Sequence, residues 1–220
     1  MESRPNNKAT LRACEKLHEK DSGYRAASNI DLALFVLGLL VALLAVRAFI
    51  FEPVEVKGES MLNTLQNGER CMVEKVSKWF TPVKSGDIVI VHYPGRGNES
   101  FVKRVIAVGG QTVKLCRDLV PSADGTAQAD YYIKVDGVRL DDSAYHGTLL
   151  FDDVFYSTWG IYGDPDMELT VPEGYVFVMG DHRTNSHDSR SREVGPIPLS
   201  DVVGRVHGVL FPFNKIRGVN

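Results

Sequence analysis

The feature that most constrains this chain is an uninterrupted apolar run near its N-terminus. Residues 32–46, LALFVLGLLVALLAV, carry no polar side chain; Arg47 then interrupts, and Ala48 to Phe51 continue the run. Ile30 to Phe51 is 22 residues, which at about 1.5 Å rise per residue matches a hydrocarbon core of about 30 Å. Asp31 and Arg47 fall near its two ends, where side chains reach the interface. A cleaved export signal begins within a few residues of the N-terminus and ends in small residues, whereas here a polar tail comes first and AFIFEPVEVKG follows. A buried core helix would need a domain able to surround it, and residues 52–220 show no other helical layer. The sequence therefore predicts a tail over 1–29, a transmembrane helix over 30–51 and a separate domain over 52–220.

Charge predicts the orientation. The tail carries Arg4, Lys8, Arg12, Lys16, Lys20 and Arg25, while Glu52 to Glu69 holds only Lys57, which places the N-terminus in the cytoplasm and the domain outside a plasma membrane crossed once. Leu11, Cys14 and Leu17 recur at helical spacing, which fits either an inner-surface segment or a solvated tail. A net charge of −3 gives no general attraction to nucleic acid, and 44% hydrophobic with 24% charged residues is a globular mix. Cys14, Cys71 and Cys116 include no C-x-x-C pair, so neither a zinc site nor a disulfide framework is signalled. Outside the membrane, Cys71 and Cys116 could pair or be buried separately.

Beyond the anchor the pattern is β. CMVEKV, DIVIVHY, FVKRVIAV, YYIKV, GVRL, GYVFVMG and DVVGRVHGVLF are short runs of branched and aromatic residues set apart by Gly, Pro, Asn and Asp. Asp136-Gly137 is a two-residue hairpin signal. The class predicted is mainly β, an antiparallel sheet or barrel-like domain behind one N-terminal helix. Asp118–Gln128 and Asp141–Glu168 are polar and irregular, and predict an excursion over about 111–170 rather than a second domain.

Three stretches carry candidate chemistry. Ser60 lies in VKGESMLNTL, with Gly58 two positions before it; a glycine there allows a tight turn and a close substrate strand, and the serine N–H can face an oxyanion. A plain loop serine has the same pattern. In FVKRVI, strand alternation turns Lys103 the same way as Phe101 and Val105. A lysine desolvated in that way loses basicity and can take a proton from a hydroxyl, although an edge-strand lysine in solvent fits too. GDHRTNSHDSR, residues 180–190, follows the apolar YVFVM and can form a dense hydrogen-bond network or a solvated turn. His182 and His187 are five apart, a spacing that matches none of the usual metal-binding pairs, and no metal or other cofactor is expected.

In order, the chain shows an apolar anchor, Ser-Met-x-x-Thr-Leu, a valine-rich strand, Gly-Asp-Ile-Val, Lys-Arg-Val-Ile and Gly-Asp-x-Arg-x-Asn-Ser-x-Asp-Ser-Arg. This series, from about Leu32 to Phe211, resembles the bacterial type I signal peptidases, serine-lysine peptidases of family S26, in their Gram-positive single-anchor form. The resemblance implies Ser60 as nucleophile, Lys103 as its base, Ser186 hydrogen-bonded to the lysine, and Asp188 with Arg190 in support. Arg104, Met61, Asp181 and Arg183 also fall on family motif positions, in structural or substrate-facing roles. Substrates implied are exported preproteins with small residues at −1 and −3, and the lipid bilayer is the other partner.

Two positions depart from the family pattern, Asn63 where proline is usual and His182 where asparagine is usual; at Gly58 some relatives have a serine whose hydroxyl helps the oxyanion, a donor absent here. One lost oxyanion donor is worth roughly 3 kcal/mol. Two other classes compete. A self-cleaving repressor-type Ser-Lys protease is cytoplasmic with a DNA-binding module, against the apolar anchor here. A non-catalytic pilus assembly factor would lack the serine or the lysine, and this chain has both.

Overall fold

The computed structural model describes residues 12, 16, 29–47, 50–76, 80–93, 95, 97, 99–121, 127–141 and 168–219. The chain divides into two compact units, Met1–Ala48 and Phe49–Asn220.

The first unit contains helix α1, Asn29–Arg47, 19 residues long, which at about 1.5 Å per residue is long enough to cross a bilayer core. Its Leu, Val, Ile and Phe side chains lie exposed on every side, an all-round apolar surface unlike the single stripe of a surface helix. Asp31 lies in the first turn and Arg47 closes the last, each matching the helix dipole. The helix is shorter than the predicted 30–51. Ile50 is in a turn and Phe51 already begins a strand, because Pro53 cannot continue a helix and the next residues pair with a neighbouring strand. Leu11, Cys14 and Leu17 lie outside the described residues.

The second unit is built from β1 Phe51–Glu55, β2 Arg70–Glu74, β3 Ile88–His92, β4 Ser100–Val108, β5 Thr112–Pro121, β6 Ala127–Val135, β7 Val138–Arg139, β8 Glu168–Thr170, β9 Tyr175–Met179, β10 Ile197–Pro198, β11 Val202–Phe211 and β12 Arg217–Gly218. One sheet runs β1-β2-β11-β3-β4-β9-β10 with β12 on β11, and a second runs β7-β6-β5-β8. Every pairing is antiparallel, as the mainly β class predicts.

Strand β3 explains its own composition. Ile88 and Ile90 enter one apolar cluster with Met61, Leu65, Val73 and Val206, while Val89 and Val91 enter another with Val105, Val176 and Val178. Covered on both faces, this strand reads as a continuous apolar run rather than an alternation. Burial of each such side chain stabilises the fold by about 1.5–3 kcal/mol.

Part of the predicted excursion over about 111–170 is strand, while residues 122–126 and 142–167, nearly all of the irregular stretch Asp141–Glu168, lie outside the described residues. β5 reaches Pro121 and β6 starts at Ala127, so the two ends of the polar stretch Asp118–Gln128 are in paired antiparallel strands, with Asp118 opposite Asp130. The apolar half of this pair does not need an interior of its own. Val113, Leu115, Tyr131 and Ile133 share a cluster with Ile106 of β4 and with Phe177 and Met179 of β9. Asp136 and Gly137 take φ of 51° and 77°, the left-handed pair of a tight hairpin. Cys71 and Cys116 are separately buried free thiols.

Candidate active site

Ser60 lies on a loop between β1 and β2 whose base is closed by hydrogen bonds. Val56 N–H donates to the Glu69 carbonyl at 2.8 Å and Gly68 N–H to the Val56 carbonyl at 2.9 Å. Gly58, at φ +89°, donates its N–H to Asn67 Oδ1 at 2.9 Å, a conformation that glycine adopts without strain. After Ser60 the chain makes a helical turn, with Leu65 N–H on the Met61 carbonyl at 2.8 Å. That turn buries Met61 and Leu65 in the apolar cluster, so Met61 fixes the loop from below. The peptide bond between Leu62 and Asn63 is cis.

Lys103 is in the middle of β4, paired with Val89 of β3, and is 2% exposed. Its Nζ lies 2.7 Å from Ser60 Oγ. Burial lowers the lysine pKa from 10.5 to about 8, with the Asp188 and Asp181 carboxylates pulling it up and the Arg190 guanidinium pushing it down. A neutral amine at this distance accepts a hydrogen bond from the serine hydroxyl and is placed to take its proton.

The segment after β9 joins the lysine strand to the serine loop through the buried Arg104–Asp181 pair, and a second buried pair, Asp188–Arg190, braces the segment itself. Arg104, next to the lysine, donates Nε to Asp181 Oδ1 and Nη2 to Oδ2, both at 2.8 Å, and Nη1 to the Gly86 carbonyl at 2.8 Å. Asp181 also accepts the Thr64 hydroxyl at 2.5 Å. His182 N–H donates to the Ser60 carbonyl at 3.0 Å, and its ring Nδ1 is 3.2 Å from the Glu59 carbonyl. Asp188 takes Arg190 Nε at 2.7 Å and Nη2 at 2.8 Å, and accepts the Gly180 N–H at 3.0 Å. Burial pushes the Asp188 carboxyl up, but the Arg190 guanidinium, the Gly180 N–H and the Ser186 hydroxyl outweigh it and hold it below its usual range. Arg183, 1% exposed, donates its backbone N–H to the Asp181 carbonyl at 3.0 Å.

The structure thus gathers Ser60, Lys103, Arg104, Asp181, Asp188 and Arg190 into one site, with Asp188, Arg190 and Asp181 close enough for their charges to act on the lysine. Ser186, which the resemblance places on the lysine, stands beside it, 8% exposed. No hydrogen bond joins its buried Oγ to Lys103; its hydroxyl instead helps to hold the Asp188 carboxyl low. Gly180 explains its closeness: a Cβ there would collide with Ser186 Oγ and the Ser60 carbonyl, so only glycine lets the segment lie against the serine loop.

Two partners were not singled out in the sequence. Thr64 joins the serine loop to Asp181, and its signal was the threonine of Ser-Met-x-x-Thr-Leu. Gly86 supplies a carbonyl to Arg104 from Gly-Asp-Ile-Val.

Comparison with known proteins adds a family. Residues 29–211 match the family described as signal peptidase, peptidase S26. The chain is 37% identical over 182 residues to signal peptidase I of Bacillus licheniformis, covering 83% of this chain and 88% of that one. It is 36% identical over 185 residues to signal peptidase I T of Bacillus subtilis (83% and 84% covered) and 35% identical over 198 residues to signal peptidase I P of Bacillus subtilis subsp. natto (90% and 97% covered). A crystal structure of a signal peptidase I from Enterococcus faecalis is 26% identical, covers 57% of this chain and 97% of its own, and has a TM-score of 0.37.

Proposed function

This chain belongs to the signal peptidase family, peptidase S26, and from that premise we propose that it is a membrane-anchored serine endopeptidase that removes signal peptides from exported preproteins, with Ser60 as nucleophile and Lys103 as general base. The observation that carries this reading is the 2.7 Å contact between Lys103 Nζ and Ser60 Oγ, with the lysine buried and its pKa lowered to about 8.

Neutral Lys103 takes the Ser60 proton as Oγ attacks the scissile carbonyl, and the Ser60 backbone N–H stabilises the oxyanion. The lysine then protonates the departing amine of the mature protein. Water, deprotonated by the same lysine, releases the signal peptide from the acyl-enzyme. Small side chains at −1 and −3 are the expected substrate feature. Helix α1 anchors the enzyme in the plasma membrane with its N-terminus in the cytoplasm and the peptidase unit outside, as the clustering of Lys and Arg before it supports. Sharing a bilayer with its precursors raises their effective concentration at the site.

The test is cleavage of a purified precursor carrying an Ala-x-Ala site. Wild type is expected to cut after the second alanine, and Ser60→Ala to lose about 10⁴-fold or more in kcat while remaining folded. Cutting by Ser60→Ala at the wild-type rate, or failure of wild type on the precursor, would overturn the reading.

A further inference from the structure

The proposed peptidase reaction needs Ser60 held against Lys103, and residues beyond the family match, which ends at 211, contribute to that hold. After β11 the chain turns at Pro212, and β12 returns along it, pairing Gly208 with Gly218 and Val209 with Arg217. Gly208 permits this approach, since a Cβ there would lie 2.6 Å from the Arg217 carbonyl oxygen. From β12 the Arg217 guanidinium reaches the serine loop. Nη1 donates to Glu69 Oε1 at 2.9 Å, and Nη2 donates to Glu69 Oε2 at 2.8 Å and to the Thr64 carbonyl at 2.7 Å.

Glu69 lies at the closed base of the loop, 2% exposed, and also accepts the Gln66 N–H at 2.9 Å. Lys215 adds a contact from Nζ to Gln66 Oε1 at 2.7 Å. Arg217 therefore grips the loop at two points on the far side of Ser60: its base at Glu69 and its returning limb at Thr64. Thr64 is the residue whose hydroxyl binds Asp181, and Asp181 binds Arg104 next to Lys103. A continuous series of hydrogen bonds runs from Arg217 through Thr64 and Asp181 to the strand of the base.

We propose that Arg217, acting through Glu69 and Thr64, is a positioning residue that sets the distance between Ser60 and Lys103, and that the C-terminal strand is a strap over the nucleophile loop. This rests on the dyad reading given above. The fork is planar and bidentate, so lysine is no substitute for it. A loss of placement near 1 Å costs on the order of 100-fold in rate, and it falls on kcat because the strap touches the loop that carries the nucleophile.

The experiment measures kcat, KM and thermal midpoint for wild type, Arg217→Ala, Arg217→Lys, Glu69→Gln and the double variant Glu69→Gln/Arg217→Ala, on the full-length enzyme with an Ala-x-Ala precursor, and includes Ser60→Ala. Expected are a fall in kcat of tenfold or more for Arg217→Ala with KM within threefold, no rescue by lysine, and partial rescue of Arg217→Ala by added guanidinium ion. The double variant should be no worse than the more impaired single variant. A kcat within threefold of wild type at temperatures where Arg217→Ala is folded, or a loss confined to KM, overturns the strap. If Ser60→Ala is as active as wild type, the dyad reading has failed instead, so the two failures are separable.

Discussion

Lys103→Met is expected to abolish precursor cleavage, by about 10⁴-fold or more in kcat, and at the same time to make the protein more stable at neutral pH. The first effect follows from chemistry: a thioether cannot accept the Ser60 proton, and no other titratable side chain is hydrogen-bonded to Ser60 Oγ among the described residues. The second follows from burial. Lys103 is 2% exposed, and its pKa stands at about 8 in place of the ordinary 10.5. Above 10.5 the amine is neutral in both folded and unfolded chains and costs nothing. As pH falls from there to 8 the unfolded chain takes up the proton first, so stability is lost across that window and the full penalty applies below 8. A shift of that size corresponds to about 3 kcal/mol. Methionine has a similar shape and no charge to desolvate, so denaturant unfolding at pH 7 should show a gain of about 1–3 kcal/mol that shrinks toward pH 10. A variant clearly less stable than wild type at pH 7 would mean that the Asp188 and Asp181 carboxylates outweigh the cost of burying the charged amine, contrary to a lowered pKa.

The second large effect concerns Asp188. Asp188→Asn removes the carboxylate charge from its buried pair with the Arg190 guanidinium, 1% exposed. Breaking a buried pair in this way costs about 3–5 kcal/mol. It also removes the largest influence that raises the Lys103 pKa. Among molecules that remain folded, the base should therefore lose its proton at lower pH than in wild type, and the rising limb of kcat/KM should move downward. A lowered thermal midpoint with an unmoved pH profile would show that Asp188 supports the fold without tuning the lysine.

The same balance explains what could be read from the sequence. Strand alternation turned Lys103 the same way as Phe101 and Val105 but left a solvent-facing lysine open, and the order of the motifs chose between them; burial is what lowers its pKa in the structure. Ser60 was legible only from the order of the motifs, since a loop serine has no periodicity. The ion pairs of Asp181 and Asp188 were foreshadowed by the alternation of acids and arginines in residues 180–190, but which arginine meets which acid was not. Asp181 bonds Arg104, 77 positions away, and only sheet pairing between β4 and β9 brings them together.

Arg217 was illegible for the same reason. Its contact with the Thr64 carbonyl spans 153 positions and is to backbone, which leaves no pattern in side-chain type. The hairpin of β5 and β6 was partly missed because the far half of β5, Arg117–Pro121, is exposed and adds nothing to the shared core. The helix was overextended at its C-terminal end because Ala48 to Phe51 is as apolar as the span itself, and only pairing with β2 assigns Phe51 to a strand.

The central claim is that a neutral lysine is the base for Ser60, and the pH dependence of kcat/KM on a soluble precursor peptide tests it most directly. The lysine is active without its proton, so kcat/KM should fall tenfold per pH unit below about 8 and level off above it. A profile level from pH 6 to 10, or one controlled by an ionisation near the ordinary histidine value of about 6.5 and lost in His182→Gln, would contradict it.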